Sequence, residues 1–442
     1  MDQRRLSIPA LSLCAAAQLL ASDAPSQPAL AELLGDPTPA QWRELSRFDL
    51  ALTRRDFESR LDRVFDPGRG LRPYLRLGDD GVEIYGGPAG AGPAAAVVRF
   101  APSRAAARPA PVEFRSPEQF RGRPATPGGS PLAGLRVAIE PADIGGRWAR
   151  MEDRSVEFRG YGLINEGDLN LVVGRLLAGR LSQLGASVFL VRDRAEPILS
   201  VRPEDLGALA DEVMRNRPWL LPESFRHLTA SLPAGSPRRL EVAEEMLLTK
   251  TLETRARVAL VRRSFKPDIT IVVQHNATAD SSQGRLNPVN RNIFFVNGAY
   301  TPDELAEPEQ RFRLLTKLLE DTTPTETAVA AAVAARFRDA TGFAPVLYGN
   351  SANTRLVLPD DPYVVARNLA FNREHDGPVV VTEPYFMNQA ETLARLLAGD
   401  YAGERIVAGK ARASIYREYA GCVAEGLLDS YHGPRGAGDS GR

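Results

Sequence analysis

The hydrophobic pattern of the chain is most regular from residue 135 onward. There, short apolar runs alternate with amphipathic stretches of helical spacing, which predicts strands followed by helices. The predicted strands are Leu135–Ile139, Ala186–Val191, Asp268–Val273, Asn292–Val296 and Val379–Thr382, and the predicted helices are Leu169–Leu184, Glu241–Arg263, Thr325–Phe337 and Gln389–Leu397. Such alternation is typical of parallel sheets. We therefore predict an α/β fold with a mixed, mostly parallel sheet flanked by helices, of the phosphorylase/hydrolase-like type.

The rest of the chain divides around this α/β domain. Residues 26–132 combine helical patterning with two short strand patterns and then a linker rich in Pro, Ala and Arg, which predicts a smaller α+β N-terminal region. The α/β domain takes residues 133–400, and residues 197–240 interrupt it with a stretch that lacks sheet pattern and indicates a helical insertion. Residues 401–442 predict a C-terminal helix and a loose, glycine-rich tail.

Residues 1–25 allow two interpretations. Arg4 and Arg5 precede a mostly apolar stretch from Leu6 to Ala21, which is the order of regions in a secretory signal. The alternative is an ordinary amphipathic first helix. A signal would place the protein in the periplasm or outside the cell, and otherwise we expect it in the cytoplasm. The sequence contains no apolar run of about 18 residues, so no transmembrane helix is predicted.

Charge and residue counts narrow the classes of function. The 442 residues carry 55 Lys and Arg against 55 Asp and Glu, whereas a chain that binds nucleic acid usually has a basic excess. We therefore expect no nucleic-acid partner. Cys14 and Cys422 are too few for a cysteine zinc site or a disulfide framework. With only four histidines, a metal site would depend largely on carboxylates.

Polar residues stand where apolar packing does not explain them. Asp143 follows the first predicted strand, His275 follows the strand that ends at Val273, and Glu383 follows the last strand. Glu166 lies just before the helix that begins at Leu169. Each has an ordinary interpretation, as a helix cap, a hydrogen-bonded structural histidine or the start of a turn. If they converge, Asp143, Glu166 and His275 suit a divalent metal, and Glu383 suits a separate general base.

Several segments, taken in order, resemble the zinc-dependent N-acetylmuramoyl-L-alanine amidases, the amidase_3-like enzymes that act on cell walls. The segment 137–146, VAIEPADIGG, is similar to the family's opening strand and loop, V-x-I-D-P-G-H-G-G, and 166–171, EGDLNL, to its E-K-D-L-N-L. Residues 268–276, DITIVVQHN, resemble D-x-F-I-S-I-H-A-N, and 380–388, VVTEPYFMN, resemble V-L-V-E-x-G-F-x-S-N. Shorter likenesses lie at 188–193 and 252–256. The resemblance extends from about residue 135 to 400.

The resemblance implies an activity and a site. It implies a metal-dependent amidase that hydrolyses the MurNAc–L-Ala bond of peptidoglycan or a similar amide, with peptidoglycan or a muropeptide as its substrate. Metal ligands would be Asp143, Glu166 and His275, and Glu383 would be the catalytic general base. The domain at 133–400 would then be the amidase-like catalytic domain.

Two departures from the family pattern affect these expectations. Asp143 stands where the family has its first zinc-binding histidine, so we expect zinc, another divalent metal, or none. Gln274 precedes His275 where an apolar residue is usual, and the interval from Asp268 is one residue longer than in the family. Two alternatives therefore stay open. One is a catalytically inactive protein of this fold that binds cell-wall peptide or a protein partner, and the other is a metal-free hydrolase that uses the carboxylates as an acid/base pair. The sequence makes no prediction of the oligomeric state.

Overall fold

The computed structural model describes residues 30–123, 129–278 and 284–433. The predicted leader, residues 1–25, lies outside the described residues, as does most of the predicted tail after His432. No helix in the described part of the chain is both long enough and apolar enough to cross a membrane.

The N-terminal region is a small antiparallel sheet surrounded by short helices. Its helices are α1 (Leu30–Leu34), α2 (Pro39–Glu44), α3 (Arg54–Arg60) and α4 (Pro117–Arg121), and its strands are β1 (Leu75–Leu77), β2 (Gly81–Ile84) and β3 (Ala96–Arg99). The strand order is β1-β2-β3, with both pairs antiparallel. Phe48, Phe57 and Phe65 are fully buried in its core together with Leu314 and Leu318 from the α/β domain. Apolar packing therefore joins this region to the rest of the chain.

A seven-stranded mixed sheet forms the centre of the α/β domain. Its strands are β4 (Arg136–Pro141), β7 (Ser187–Leu190), β8 (Ile269–Val273), β9 (Ile293–Val296), β10 (Arg355–Leu356), β11 (Val364–Ala366) and β12 (Val379–Glu383), and β5 (Ser155–Phe158) and β6 (Gly162–Asn165) form a separate hairpin. The order is β10-β11-β9-β12-β8-β4-β7, in which β9–β12 and β10–β11 are antiparallel and the other neighbours are parallel. The predicted fold class, a mixed and mostly parallel sheet, is confirmed.

Helices cover both faces of this sheet. They are α5 (Trp148–Met151), α6 (Glu166–Gln183), α7 (Gly207–Asn216), α8 (Glu223–Leu228), α9 (Pro237–Met246), α10 (Glu253–Ser264), α11 (Pro302–Leu305), α12 (Pro308–Glu320), α13 (Thr323–Thr341), α14 (Ala370–Glu374), α15 (Ala390–Leu397) and α16 (Ile415–His432). Apolar side chains of α6, α13 and α16 pack on one face, and α10 and α14 contribute to the other. The interior strand β8 is buried along its whole length, as expected for a strand covered on both sides.

The structure differs from the predicted elements in several places. The single helix predicted over Glu241–Arg263 is interrupted by a π-helical turn at Leu247–Leu252, which separates α9 from α10. The helix predicted from Leu169 begins three residues earlier, at Glu166. A hairpin of β13 (Glu404–Val407) and β14 (Lys410–Ala413) precedes the C-terminal helix α16 and was not predicted.

Residues 197–240 contain α7, α8 and the start of α9, and their apolar side chains share a core with neighbouring segments. This core contains Leu206 and Phe225 and extends to Ile144, Leu247 and Leu252. The segment therefore packs against the loop that follows β4 and against the π-helical turn. It helps to fix the position of both.

Candidate functional site

The four predicted site residues lie at one edge of the sheet. Strands β4, β8 and β12 are parallel neighbours, so their carboxyl ends meet there. Asp143 and His275 each lie two residues beyond a strand, Glu383 is the last residue of β12, and Glu166 is the first residue of α6. The backbone N–H of His275 donates to Glu166 Oε1 at 3.2 Å, which places these two residues side by side.

The loop that carries Asp143 has an unusual backbone. Asp143 has φ of 60°, in the left-handed region that residues other than glycine seldom occupy and that is common at functional sites. Its carbonyl oxygen accepts a 2.6 Å hydrogen bond from Arg192 Nη2, and Gly146 N donates to Asp168 Oδ1 at 3.0 Å. The loop is therefore held on both sides of Asp143. The carboxylate is directed inward, and the residue is only 1% exposed.

Two basic side chains contact the predicted metal ligands. Lys250 Nζ lies 3.0 Å from Asp143 Oδ1 and 3.4 Å from an oxygen of Glu152. Arg154 Nε lies 3.4 Å from Asp143 Oδ1 and 3.6 Å from Glu166 Oε2. Burial alone would raise the pKa of Asp143, but the charges of Lys250 and Arg154 hold that pKa well below its usual range. Asp143 is thus an ionised carboxylate with two cationic partners.

Sequence reasoning did not find Lys250, Arg154 or Glu152. For Lys250 a signal existed, because this lysine follows Leu247 and Leu248 and precedes Leu252, and the chain contains few lysines. Nothing in the sequence near Arg154 indicates its role. It precedes β5 of a hairpin that was not predicted, and only the folded chain brings it to Glu166.

His275 is a buried, neutral imidazole. Asn170 Nδ2 donates to the carbonyl of Ala142 at 2.9 Å, so its amide oxygen faces His275 Nδ1 at 2.8 Å and accepts from it. This hydrogen bond leaves the proton on Nδ1 and a lone pair on Nε2. Burial lowers the pKa of His275 to about 3, so the ring is uncharged at neutral pH.

The pKa values of the two predicted site glutamates, Glu383 and Glu166, are raised. Burial raises the pKa of Glu383 to about 7, with Asp143 adding to the rise and Arg367 and Arg154 opposing it. Burial and the negative charge of Asp143 raise the pKa of Glu166 well above its usual range. Glu383 can therefore release or take a proton near neutral pH, which is the property of a general acid or base.

This charge arrangement does not fit a divalent metal. Asp143 Oδ2 is buried without a hydrogen-bond partner, as an open metal ligand would be. However, an ammonium and a guanidinium already neutralise Asp143, and the guanidinium also contacts Glu166. At an effective dielectric constant of about 20, two unit charges roughly 4 Å apart interact by about 4 kcal/mol, and a divalent ion would double that repulsion. In the described part of the chain, no three His, Cys, Asp or Glu side chains are grouped so as to hold a metal ion. The ligand roles of Asp143, Glu166 and His275 stay a prediction, which these cations oppose.

The raised pKa of Glu383 predicts a pH-dependent stability. The folded protein binds this proton more tightly than the unfolded chain, so stability from this group is lost as the pH rises from 4.5 towards about 7. Glu383→Gln removes the buried negative charge that forms when the carboxyl group loses its proton. The free energy of unfolding of the variant should therefore exceed that of the wild type by about 1 to 2 kcal/mol between pH 5 and 8. Urea unfolding of both proteins at several pH values measures this difference. A difference that does not change with pH would contradict the prediction.

Comparisons with known proteins give structural likenesses only. No protein-family model and no curated protein matches the chain. Similar solved structures include Cwp6 from Clostridium difficile, with 14% identity and a TM-score of 0.36. The matched region covers 67% of this chain and 29% of Cwp6. N-acetylmuramoyl-L-alanine amidase AmiC2 of Nostoc punctiforme has 14% identity and a TM-score of 0.35, over 67% of this chain and 97% of its own. A third similar structure is the catalytic domain of CwlV, an N-acetylmuramoyl-L-alanine amidase from Bacillus (Paenibacillus) polymyxa var. colistinus. It has 13% identity and a TM-score of 0.35, and the match covers 67% of this chain and 97% of that domain. Likenesses of this strength assign no activity to this chain.

Proposed function

We propose that this chain binds a muropeptide or a similar amide at the candidate site and does not hydrolyse it through a metal. One observation carries the proposal. The guanidinium of Arg154 lies between Asp143 and Glu166, with Nε at 3.4 Å and 3.6 Å from their carboxylate oxygens. Two of the three residues that would bind a metal are thereby already paired with a cation. This favours the binding protein over the metal-dependent amidase that the sequence resemblance implies.

The polar groups of the site suit an amide ligand. The side chain of Arg154 is 39% exposed. Its Nη1 donates to the carbonyl of Asp153 at 3.1 Å, and its Nη2 is the group that we propose donates to a carbonyl or carboxylate oxygen of the ligand. Glu383 is partly exposed at the end of β12 and accepts hydrogen bonds when ionised. An amide offers both an acceptor and a donor, and a muropeptide adds carboxylates. We propose peptidoglycan as the source of the ligand because the sequence resembles cell-wall amidases, and we therefore also propose that the site lies outside the cytoplasm.

A second candidate is metal-free hydrolysis, which the pKa of Glu383 favours. With a pKa of about 7, Glu383 can take a proton from water and return it to the leaving amine. Arg154 would then stabilise the negative charge that develops on the carbonyl oxygen. Both candidates use the same two side chains, so one experiment separates them.

The experiment is calorimetric titration with a MurNAc–L-Ala-containing muropeptide, together with mass spectrometry of the products. We expect the wild type to bind the ligand equally with and without EDTA and to leave it intact. Arg154→Gln should weaken binding by about tenfold or more, because it removes a charge-assisted hydrogen bond. Arg159→Gln is the matched control, since Arg159 is exposed on the same hairpin, and should bind like the wild type.

Other outcomes assign other functions. Cleavage that EDTA abolishes would establish the metal-dependent amidase and overturn the proposal. Cleavage that survives EDTA and disappears in Glu383→Gln would establish the metal-free hydrolase. A wild type that neither binds nor cleaves the muropeptide would contradict both candidates.

A further inference from the structure

We infer that Arg367 is a carboxylate-binding residue of the candidate site, and that the ligand bound there carries a carboxylate close to its amide. The inference rests on the proposed function and deepens it, because it names a second charged group that the ligand must have. Arg367 is thereby assigned as a specificity-determining residue, with a role different from that of Arg154.

The backbone of Arg367 is fixed directly after strand β11. Its N–H donates to the carbonyl of Val296 at 3.0 Å, and its carbonyl accepts a hydrogen bond from Nδ2 of the fully buried Asn372, also at 3.0 Å. Both backbone hydrogen-bonding groups of Arg367 are therefore used within the fold. Only its long side chain extends towards the site.

The side chain of Arg367 follows one face of the sheet in the direction of Glu383. Phe295 pairs with Val365 of β11 on one side and with Val381 of β12 on the other, so these three side chains share a face. Arg367 and Glu383 each follow one of those partners by two residues and therefore face the same side. The Cζ of Arg367 lies 5.9 Å from the centroid of the Phe295 ring, and its positive charge acts on Glu383.

Two aromatic rings support the guanidinium. Tyr348 packs on Phe295 with ring centroids 5.7 Å apart, and the centroid of Tyr348 lies 5.8 Å from Cζ of Arg367. The hydroxyl of Tyr348 also interacts with the guanidinium, and Tyr348 is 37% exposed, so this contact lies at the surface. A guanidinium has five N–H donors in one plane. Contact with the two rings and one hydroxyl therefore leaves donors for a planar acceptor such as a carboxylate.

Arg367 is a partly buried cation without an anionic partner. In the described part of the chain no carboxylate forms an ion pair with it, whereas Arg255 pairs with Glu374 at 3.2 Å. Burial raises the pKa of Glu383 to about 7 although Arg367 opposes the rise, whereas the directly paired Asp143 has a lowered pKa. Partly buried charges are usually paired. An anionic group of the ligand would complete this one.

The order of the strands separates the two arginines that act on Glu383. Strand β12 lies between β11 and β4, so Arg367 approaches Glu383 from the side of β11, and Arg154 lies on the side of Asp143. An amide that donates its N–H to Glu383 and accepts from Arg154 would place its next group towards Arg367. A carboxylate there could form two parallel hydrogen bonds with the guanidinium. This is the geometry that arginine provides and lysine does not.

The test compares two muropeptides that differ only in this charge. MurNAc–L-Ala–D-isoglutamine has one free carboxylate, and in the matched ligand that group is a carboxamide. In calorimetric titrations, we expect the full-length wild type to bind the carboxylate form at least about tenfold more tightly. Arg367→Gln should bind both ligands with the affinity that the wild type has for the carboxamide. Arg154→Gln should weaken the binding of both ligands and keep the preference.

Two further variants serve as controls. Arg367→Lys keeps the charge and replaces Arg367→Gln if that variant does not fold, and it should lower the preference because an ammonium lacks the planar pair of donors. Arg405→Gln is the matched control, because Cζ of Arg405 also lies over a tyrosine, 4.5 Å from the ring of Tyr401, but on the exposed hairpin of β13 and β14. It should leave both affinities unchanged.

The outcomes separate this inference from the proposed function. Equal wild-type affinities for the two ligands, or a preference that the folded Arg367 variants retain in full, would overturn the inference and leave the proposed function standing. A wild type that binds neither ligand would overturn the proposed function, and the inference with it.

Discussion

Replacing Arg257 by methionine is expected to lower the free energy of unfolding by about 3 to 5 kcal/mol. Arg257 is 1% exposed beneath the site, where its Nη1 lies 2.9 Å from Glu140 and its Nε 2.8 Å from Glu253. Both carboxylates are fully buried. Without the guanidinium they would be left charged in an apolar interior or would have to bind protons, and both changes are costly.

The loss of stability in Arg257→Met should affect the insertion, residues 197–240, and the loop that carries Asp143. Glu253 also accepts hydrogen bonds from the backbone N–H groups of Ile198 and Leu199, at 2.9 Å and 3.1 Å, where the insertion begins. Glu140 lies in β4, just before the loop of Asp143. We therefore expect Arg257→Met to loosen both segments, which hydrogen exchange would show as faster exchange at those backbone amides.

An exposed ion pair provides the control for Arg257. Arg215 pairs with Asp211 at 2.7 Å on the surface of α7, with side chains 66% and 52% exposed. Such pairs contribute about 0 to 1 kcal/mol, so Arg215→Met should change stability by no more than that. Urea unfolding followed by circular dichroism measures both variants. Equal losses of unfolding free energy in the two variants would show that the buried ion pairs of Arg257 stabilise the fold no more than an exposed pair does.

The second large effect is expected from Gly167→Ala, which should destabilise the fold by about 1 to 3 kcal/mol and displace the site loop. Gly167 is the second residue of α6, and a Cβ placed there would lie 2.4 Å from the carbonyl carbon and oxygen of Ile144. These are backbone atoms of the loop that carries Asp143. They cannot rotate away as a side chain would, so the helix and the loop must separate.

A glycine of the same helix separates this steric effect from helix propensity. Gly179 is exposed, and nothing lies within 4 Å of a Cβ built on it. Gly179→Ala should therefore stabilise the protein by about 0.4 to 1 kcal/mol, the usual gain when glycine in a helix becomes alanine. The same unfolding measurement checks both variants. A stabilised Gly167→Ala would show that the loop and the helix can move apart without cost.

The architecture of the α/β domain could be predicted from the sequence because its signals are local. Buried strands such as Ile269–Val273 consist of β-branched apolar residues, and α6 shows apolar residues at helical spacing. Glu383 and His275 were found for the same reason, since a polar residue at the end of a buried strand contrasts with its neighbours. The two- and three-residue strands β10 and β11 could not be predicted, because they are too short for any periodicity.

The sequence by itself thus determined five of the seven strands, several of the helices that cover them and the edge at which polar groups collect. Only the tertiary structure decided which charges meet there. Lys250 and Asp143 are 107 residues apart, and a π-helical turn that leaves no signature in the hydrophobic pattern brings them together. The charge pairs of the site could not be predicted because electrostatic interactions depend on distance in space. Hydrophobic periodicity describes only residues that are close along the chain.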